Sequence, residues 1–100
     1  MTQLTVAVAG LGAIGWPVVQ RLDRGLEGLR LTAVSARDRA KAEAKLAALA
    51  HPVPVLAPGE LAGVADVVVE ALPAALFRAI AVPTLEAGRT LMTVSVGALL

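Results

Sequence analysis

The string Gly10-Leu11-Gly12-Ala13-Ile14-Gly15 constrains this chain more than any other feature, because of what stands on either side of it. Before it, Leu4-Thr5-Val6-Ala7-Val8-Ala9 is short, apolar and partly β-branched, the pattern of a buried strand. After it, Ile14, Val18, Val19 and Leu22 share one side of a helix expected from Gly12 to Arg24, which Gly25 and Gly28 then stop. A glycine triplet means little by itself in a sequence of 100 residues with nine glycines. Between a strand and a helix, however, each glycine has a mechanical task. Gly10 permits the tight turn, Gly12 lets the backbone approach a diphosphate with no Cβ in the way, and Gly15 lets the helix pack closely on the sheet. The N–H groups of the first helical turn have no partner inside the helix, and together with the helix dipole they favour phosphate oxygens. The spacing therefore predicts a dinucleotide site on Gly10, Leu11, Gly12, Ala13, Ile14 and Gly15. Pro17 is slightly too deep for the first turn of a helix that begins at Gly12, and should cost a backbone bond or bend the axis. Trp16 reads as a packing or interface residue.

Further along, Leu29 to Ala36 forms a second strand, and Asp38 is placed to cap an Ala-rich helix that runs to about Ala50 and is closed by His51-Pro52. A short third strand is expected at Val53 to Leu56, with Pro52 and Pro54 assigning it to a sheet edge. Pro58 to Ala62 suits one helical turn, Asp66 to Ala71 a fourth strand, and Thr90 to Ser95 a fifth. Pro83 should divide the segment between the last two into helical pieces at Pro73 to Ala81 and Pro83 to Ala87. Strands alternating with helices at this spacing predict an α/β fold. It is a Rossmann-type, doubly wound parallel sheet with right-handed crossovers and strand order 3-2-1-4-5, the chain ending after the fifth strand as if truncated or split. Composition agrees: 57% of residues are hydrophobic, yet only Trp16 and Phe77 are aromatic, and small aliphatic runs suit a parallel sheet covered on both faces. Residues 1–100 read as one domain.

Several function classes fall away. Nine basic and eight acidic residues are dispersed with no basic face, which excludes nucleic acid and anionic membranes as expected partners. There is no cysteine, hence no disulfide, thiol catalysis or thiolate metal site. Residues 1–20 carry no charge, but they lack a basic start and contain three glycines, Pro17 and Gln20, so a signal peptide or membrane span is not expected and the cytoplasm is. No His, Asp or Glu pair has metal-site spacing, and no Ser, His and Asp grouping suggests a triad. His51, the only histidine, suits the end of a helix at the surface. Glu70 ends a buried strand and needs a partner or a cleft, which gives it a structural or cofactor-rim role. Asp66 should start its strand in water, and the lysines and remaining arginines read as solvated helix faces. No residue of the chain is assigned a catalytic or metal-ligating role. The apolar excess predicts that a second domain or a like subunit covers some surface, with a homo-oligomer as the expected form.

The rim of the dinucleotide site separates two cofactors. Folds that prefer NAD present an Asp or Glu at the end of the second strand, to bond the adenosine ribose hydroxyls. Here that place falls at Ser35-Ala36-Arg37, and a serine hydroxyl with a guanidinium suits a ribose 2′-phosphate. NADP is therefore expected to be accepted at least as well as NAD, with Asp38, a helix cap that could also swing to the ribose, as the counterweight. Ala71 and Leu72 after the fourth strand, and Ser95 and Val96 after the fifth, should face the nicotinamide side.

Four stretches together resemble the amino-terminal domain of L-aspartate dehydrogenases: Val8 to Gly15, Val34 to Asp38, Asp66 to Ala71, and Val94-Ser95-Val96-Gly97-Ala98-Leu99. The first and third are shared by many dehydrogenases, while the last is more particular, and the Trp16-Pro17 pair departs from the family's pattern. The resemblance implies an NAD(P)-linked oxidoreductase that interconverts L-aspartate with iminoaspartate or with oxaloacetate plus ammonia, and that can feed nicotinamide biosynthesis. It implies hydride transfer between nicotinamide C4 and the substrate α-carbon, with substrate contacts and a catalytic histidine in a later domain, and no activity in these residues alone. The alternatives are another dehydrogenase with the same front half, acting on homoserine, dihydrodipicolinate or a sugar, and a stand-alone nucleotide-binding regulatory module.

Overall fold

A computed structural model describes residues 3–94 of the chain. Four strands, β1 (Leu4–Ala9), β2 (Leu29–Ser35), β3 (Val67–Glu70) and β4 (Thr90–Thr93), form one parallel sheet in the order β2-β1-β3-β4. The expected third strand shrinks to a single bridge between Val34 and Val55, flanked by Val34 N–H donating to Pro54 O at 3.1 Å and Leu56 N–H donating to Val34 O at 2.8 Å. Prolines 52 and 54 have no N–H to give, so the ladder stops at one rung on the outer side of β2. That rung stands where strand 3 of the order 3-2-1-4-5 belongs. The fifth expected strand is β4, and its Ser95 lies outside the described residues.

Helices cover both faces, as the aliphatic runs require. The helices α1 (Gly15–Arg24) and α2 (Arg39–Leu46) pack Val19, Leu22, Ala42 and Leu46 against Val6, Val8 and Val34. On the other face, α3 (Phe77–Glu86) and a 3-10 turn at Pro58–Gly63 place Ile80 and Leu61 over Ala7, Ala9, Ala33 and Val68. Leu31 and Val34 serve the same layer although three residues apart. Thr32 is an extra residue opposite the Val6–Ala7 step, and this bulge reverses the in-out parity of β2.

The prolines of two helices have different consequences. Although α1 is counted from Gly15, the bonds on either side of Pro17 already run four residues back, Trp16 N–H donating to Gly12 O at 3.1 Å and Val18 N–H to Ile14 O at 3.4 Å. The N–H that Pro17 lacks is the one that would reach Ala13 O, so the predicted bond is lost. Pro83, by contrast, stays inside an unbroken α3 preceded by a 3-10 turn at Ala74–Leu76. The burial of Ile80, Ala81 and Thr84 around it outweighs the penalty, and the carbonyl that loses a donor belongs to Ala79 on the exposed side. Helix α2 ends at Leu46, earlier than Ala50, in a turn that α1 secures: the Asp23 carboxylate accepts from the N–H groups of Ala50 and His51, both at 2.9 Å.

The α1 side of β3 and β4 carries no helix among the described residues. Leu4, Val18, Val67, Val69 and Met92 line an apolar groove of about 380 Å³ there.

Candidate functional site

A cleft opens at the carboxyl end of the sheet because successive connections leave the central strand in opposite directions. From β1 the chain winds to β2 on one side, and later returns to β3 on the other, so the loops that follow β1 and β3 diverge. Both loops are pinned by backbone bonds, Gly10 N–H donating to Ser35 O at 2.7 Å and Ala71 N–H donating to Ala9 O at 2.8 Å. The space between them, about 340 Å³, is lined by Gly10, Leu11 and Gly12, by Ala71, Leu72 and Pro73, and by Ala36, Arg37, Asp38, Lys41, Ala42 and Lys45.

Each glycine of the first loop answers to a different constraint. Gly10 has φ of 103°, and a Cβ on it would stand 2.6 Å from Ala71 O. A Cβ on Gly15 would stand 1.7 Å from Gly10 O, so the close contact there is with the loop's own backbone. A Cβ on Gly12 would meet no atom within 4 Å. Gly12 lines the cleft, so only something entering the cleft would notice a side chain there. Exposed Gly12, Ala13 and Ile14 lead into the first turn of α1, where Trp16 N–H is already spent on Gly12 O at 3.1 Å and Pro17 has none, so helix geometry leaves only the N–H groups before Trp16 without intrahelical acceptors.

A second cavity of about 310 Å³ adjoins the first and shares Ala36, Arg37 and Leu72 with it. Its walls are otherwise mainly apolar, from Val55, Leu56, Ala57, Pro58, Leu76 and Ala79. Ser35 is buried and faces this second cavity, not the first, while Arg37 is exposed and lines both. Of the residues singled out in the sequence, Gly10, Leu11, Gly12, Arg37, Ala71 and Leu72 thus line one cleft. Ala13, Ile14 and Gly15 form its shoulder, and Ser95 and Val96 lie outside the described residues.

Lys41 is exposed, as expected of a solvated lysine, whereas Lys45 is half-buried; both line the cleft. Arg37, Lys41 and Lys45 recur every four residues, a spacing that puts the three on one stripe beside the phosphate loop and could have revealed them. Asp38 is the N-cap of α2, its carboxylate accepting from Lys41 N–H at 3.0 Å. Glu70 is fully buried and is not among the cleft-lining residues; its carboxylate accepts from Leu72 N–H at 3.1 Å and from the Thr93 hydroxyl at 2.8 Å, and so holds the loop after β3.

Asp66 does not simply face water. At the amino end of the sheet its carboxylate accepts from the N–H and the hydroxyl of Thr5, both at 2.9 Å, and lies 3.8 Å from the Arg89 guanidinium. The bond from Thr5 N–H, then that from its hydroxyl, hold the Asp66 carboxyl below its ordinary value of 3.8. The Asp23 carboxyl is lowered likewise, by the N–H groups of Ala50 and then His51, with the His51 ring 3.7 Å away and itself exposed.

Residues 10–100 match the family model described as homoserine dehydrogenase, NAD binding domain. The chain belongs to this family. By that description it is an NAD(P)-binding domain, and the cleft offers the parts such a cofactor needs: backbone N–H groups at a helix start, an open Cβ position and cations at the rim. It is 46% identical over 99 residues to an L-aspartate dehydrogenase of Bradyrhizobium diazoefficiens, covering 99% of this chain and 35% of that protein. It is 48% identical over 99 residues to L-aspartate dehydrogenase 3 of Bordetella bronchiseptica, covering 98% and 36%. The chain therefore spans about a third of the length of these relatives. Among solved structures it shares its fold with scyllo-inositol dehydrogenase from Lactobacillus casei with bound NAD(H), at a TM-score of 0.78 and 15% identity, over 92% of this chain and 28% of that one. The resemblance to L-aspartate dehydrogenases read from four motifs thus extends along nearly the whole chain.

Proposed function

We propose that this domain holds the cofactor of an enzyme that oxidises L-aspartate to iminoaspartate, or to oxaloacetate plus ammonia. The observation that carries the reading is the continuous cleft from Gly12 past Arg37 into the apolar second cavity, in a chain whose relatives at 46% and 48% identity are L-aspartate dehydrogenases. In this reading Gly10, Leu11, Gly12, Ala13, Ile14 and Gly15 receive the diphosphate on backbone N–H groups. Arg37 and the Ser35 edge hold the adenosine ribose, and the second cavity takes the adenine. Ala71, Leu72, Ser95 and Val96 flank the nicotinamide end, where the bound cofactor supplies a hydride acceptor. The chain's task is to fix that ring's position relative to a substrate held elsewhere in the intact protein.

Arg37 at the rim, with Ala36 where a carboxylate would favour NAD, supports acceptance of NADP at least as well as NAD. The family description supports homoserine as the competing substrate. An assay of the intact protein that follows reduced nicotinamide, with L-aspartate and L-homoserine compared under both cofactors, decides between them. Turnover of homoserine in preference to aspartate removes the proposal. Self-association of the intact protein belongs to the same proposal, supported by the uncovered apolar groove beside β3 and β4, and a monomer in sedimentation would remove it.

A further inference from the structure

Lys45 belongs to α2, yet its ammonium is spent on the loop that follows β1. The Nζ atom donates to Leu11 O at 3.4 Å and lies 5.4 Å from the centroid of the Trp16 ring. Leu11 and Trp16 bracket the segment Gly12–Gly15, so one cation touches both flanks of the phosphate loop. Neither contact neutralises it: a carbonyl oxygen and a ring face attract an ammonium but carry no net charge. Among the described residues no carboxylate is ion-paired with it, the ion pairs there being Arg39–Glu43, His51–Asp23 and Arg89–Asp66. Lys45 also lines the cleft, as Gly12 does. A half-buried positive charge is thus held in reserve at the place where a diphosphate would lie.

We propose that Lys45 is a diphosphate ligand that also sets the phosphate loop. In the free domain its ammonium rests on Leu11 O and the Trp16 face, which orders the loop. When a dinucleotide enters, the same ammonium donates to a diphosphate oxygen while staying over the Trp16 ring. The contact at 3.4 Å is long for a charged donor, so little is given up when a phosphate oxygen replaces the carbonyl. This rests on the dinucleotide reading of the cleft and adds to it a side-chain ligand from the second helix. It also gives the Trp16-Pro17 pair a purpose, since the indole is the platform that keeps the cation over the loop.

The test is calorimetric titration of wild type, Lys45→Met, Lys45→Gln and Lys45→Arg with NAD+, at two salt concentrations, with tryptophan emission recorded in parallel. Trp16 is the only tryptophan in the sequence and there is no tyrosine, so the emission reports on this one site. Methionine and glutamine keep the stem and remove the charge. Both should weaken NAD+ binding roughly tenfold and flatten its salt dependence, whereas arginine should hold affinity within about threefold. NAD+ should also change Trp16 emission in the wild type. Charge-removing variants that bind as tightly as wild type with the same salt dependence overturn the role of Lys45 and leave the cleft reading standing. A folded wild type that binds neither NAD+ nor NADP+ overturns the cleft reading itself, and the role of Lys45 with it.

Discussion

Alanine at Gly12 and alanine at Gly15 should have opposite effects on stability, although both lie in the phosphate loop. At Gly15 the added Cβ would stand 1.7 Å from Gly10 O and 2.8 Å from Gly10 C. Both are backbone atoms, so no rotamer relieves the overlap, and an ordinary contact requires the first turn of α1 to move away by about 1.5 Å in an interior packed as densely as an organic crystal. Overpacking by a methyl costs about 1–3 kcal/mol, and a backbone overlap this deep belongs at the upper end. Against a total stability on the order of 5–15 kcal/mol, that is a large fraction. The displaced turn would also carry its N–H groups off target by more than an ångström, an error worth on the order of a hundredfold wherever groups must be aligned.

At Gly12 no atom lies within 4 Å of the new Cβ, and the backbone is not in the left-handed region. Alanine there should stabilise the fold by about 0.4–1 kcal/mol through the unfolded chain alone. Yet its methyl would stand where the cleft opens, and should hold a diphosphate away from the backbone, weakening NAD+ and NADP+ tenfold or more, about 1.4 kcal/mol. Thermal melting and calorimetric titration of both variants separate the two effects. Gly12→Ala that binds like wild type refutes the placement of the diphosphate, and Gly15→Ala that melts like wild type refutes the packing of α1 on Gly10.

Arg37→Ala should weaken NADP+ by about tenfold while changing NAD+ little, because the guanidinium pairs with a 2′-phosphate that only NADP carries; paired titrations check this. Glu70→Ala leaves the buried Leu72 N–H without its acceptor and should cost about 1–3 kcal/mol in denaturant unfolding, with Glu70→Gln costing less because it retains a carbonyl oxygen. The carboxyls of Asp66 and Asp23 are lowered in the fold, so their contribution is complete above the ordinary value of 3.8 and disappears as pH falls through their lower folded-state values. Melting temperature should therefore fall on acidification below that point, and Asp66→Ala, less stable at neutral pH, should show a shallower fall that converges on the wild type.

What was legible in the sequence follows from local chemistry, and what was missed came from distance. The runs Leu4–Ala9 and Val67–Glu70 declare themselves because the interior strands of a parallel sheet are almost continuously apolar. The same property hides the bulge at Thr32, since Leu31 and Val34 suit either face and no alternation exists to be broken. Pro17 and Pro83 show the limit of punctuation rules. The first does remove the bond to Ala13 O, between those that Trp16 and Val18 make, while the second leaves its helix unbroken because Ile80 and Thr84 pack beneath it. Asp66 finds Thr5 61 positions away, and Lys45 finds Leu11 34 positions away, pairings that only the completed sheet creates. Part of the glycine loop's constraint is internal, Gly15 being required by Gly10 five residues before it, while Gly10 is also held close to Ala71.

A site made of backbone N–H groups and missing Cβ atoms recognises what every dinucleotide has in common, so discrimination must be carried by the rim. Arg37 and Lys41 line the cleft, and under the proposed function the choice between cofactors falls to that rim. The substrate choice has no comparable seat. The proposed oxidation of an amine must release a proton, and among the described residues the only carboxylate lining the cleft is Asp38, whose oxygen caps α2 through Lys41 N–H. Glu70 is sealed under Leu72 and Thr93, and His51 lies against Asp23 beyond the far end of α2. Under the proposed function, the acid–base group would then reach the nicotinamide end from outside residues 3–94. This predicts that grafting the domain onto another substrate portion would carry over the cofactor preference and leave the substrate behind. A chimera that changed substrate without any exchange beyond this domain would contradict that division.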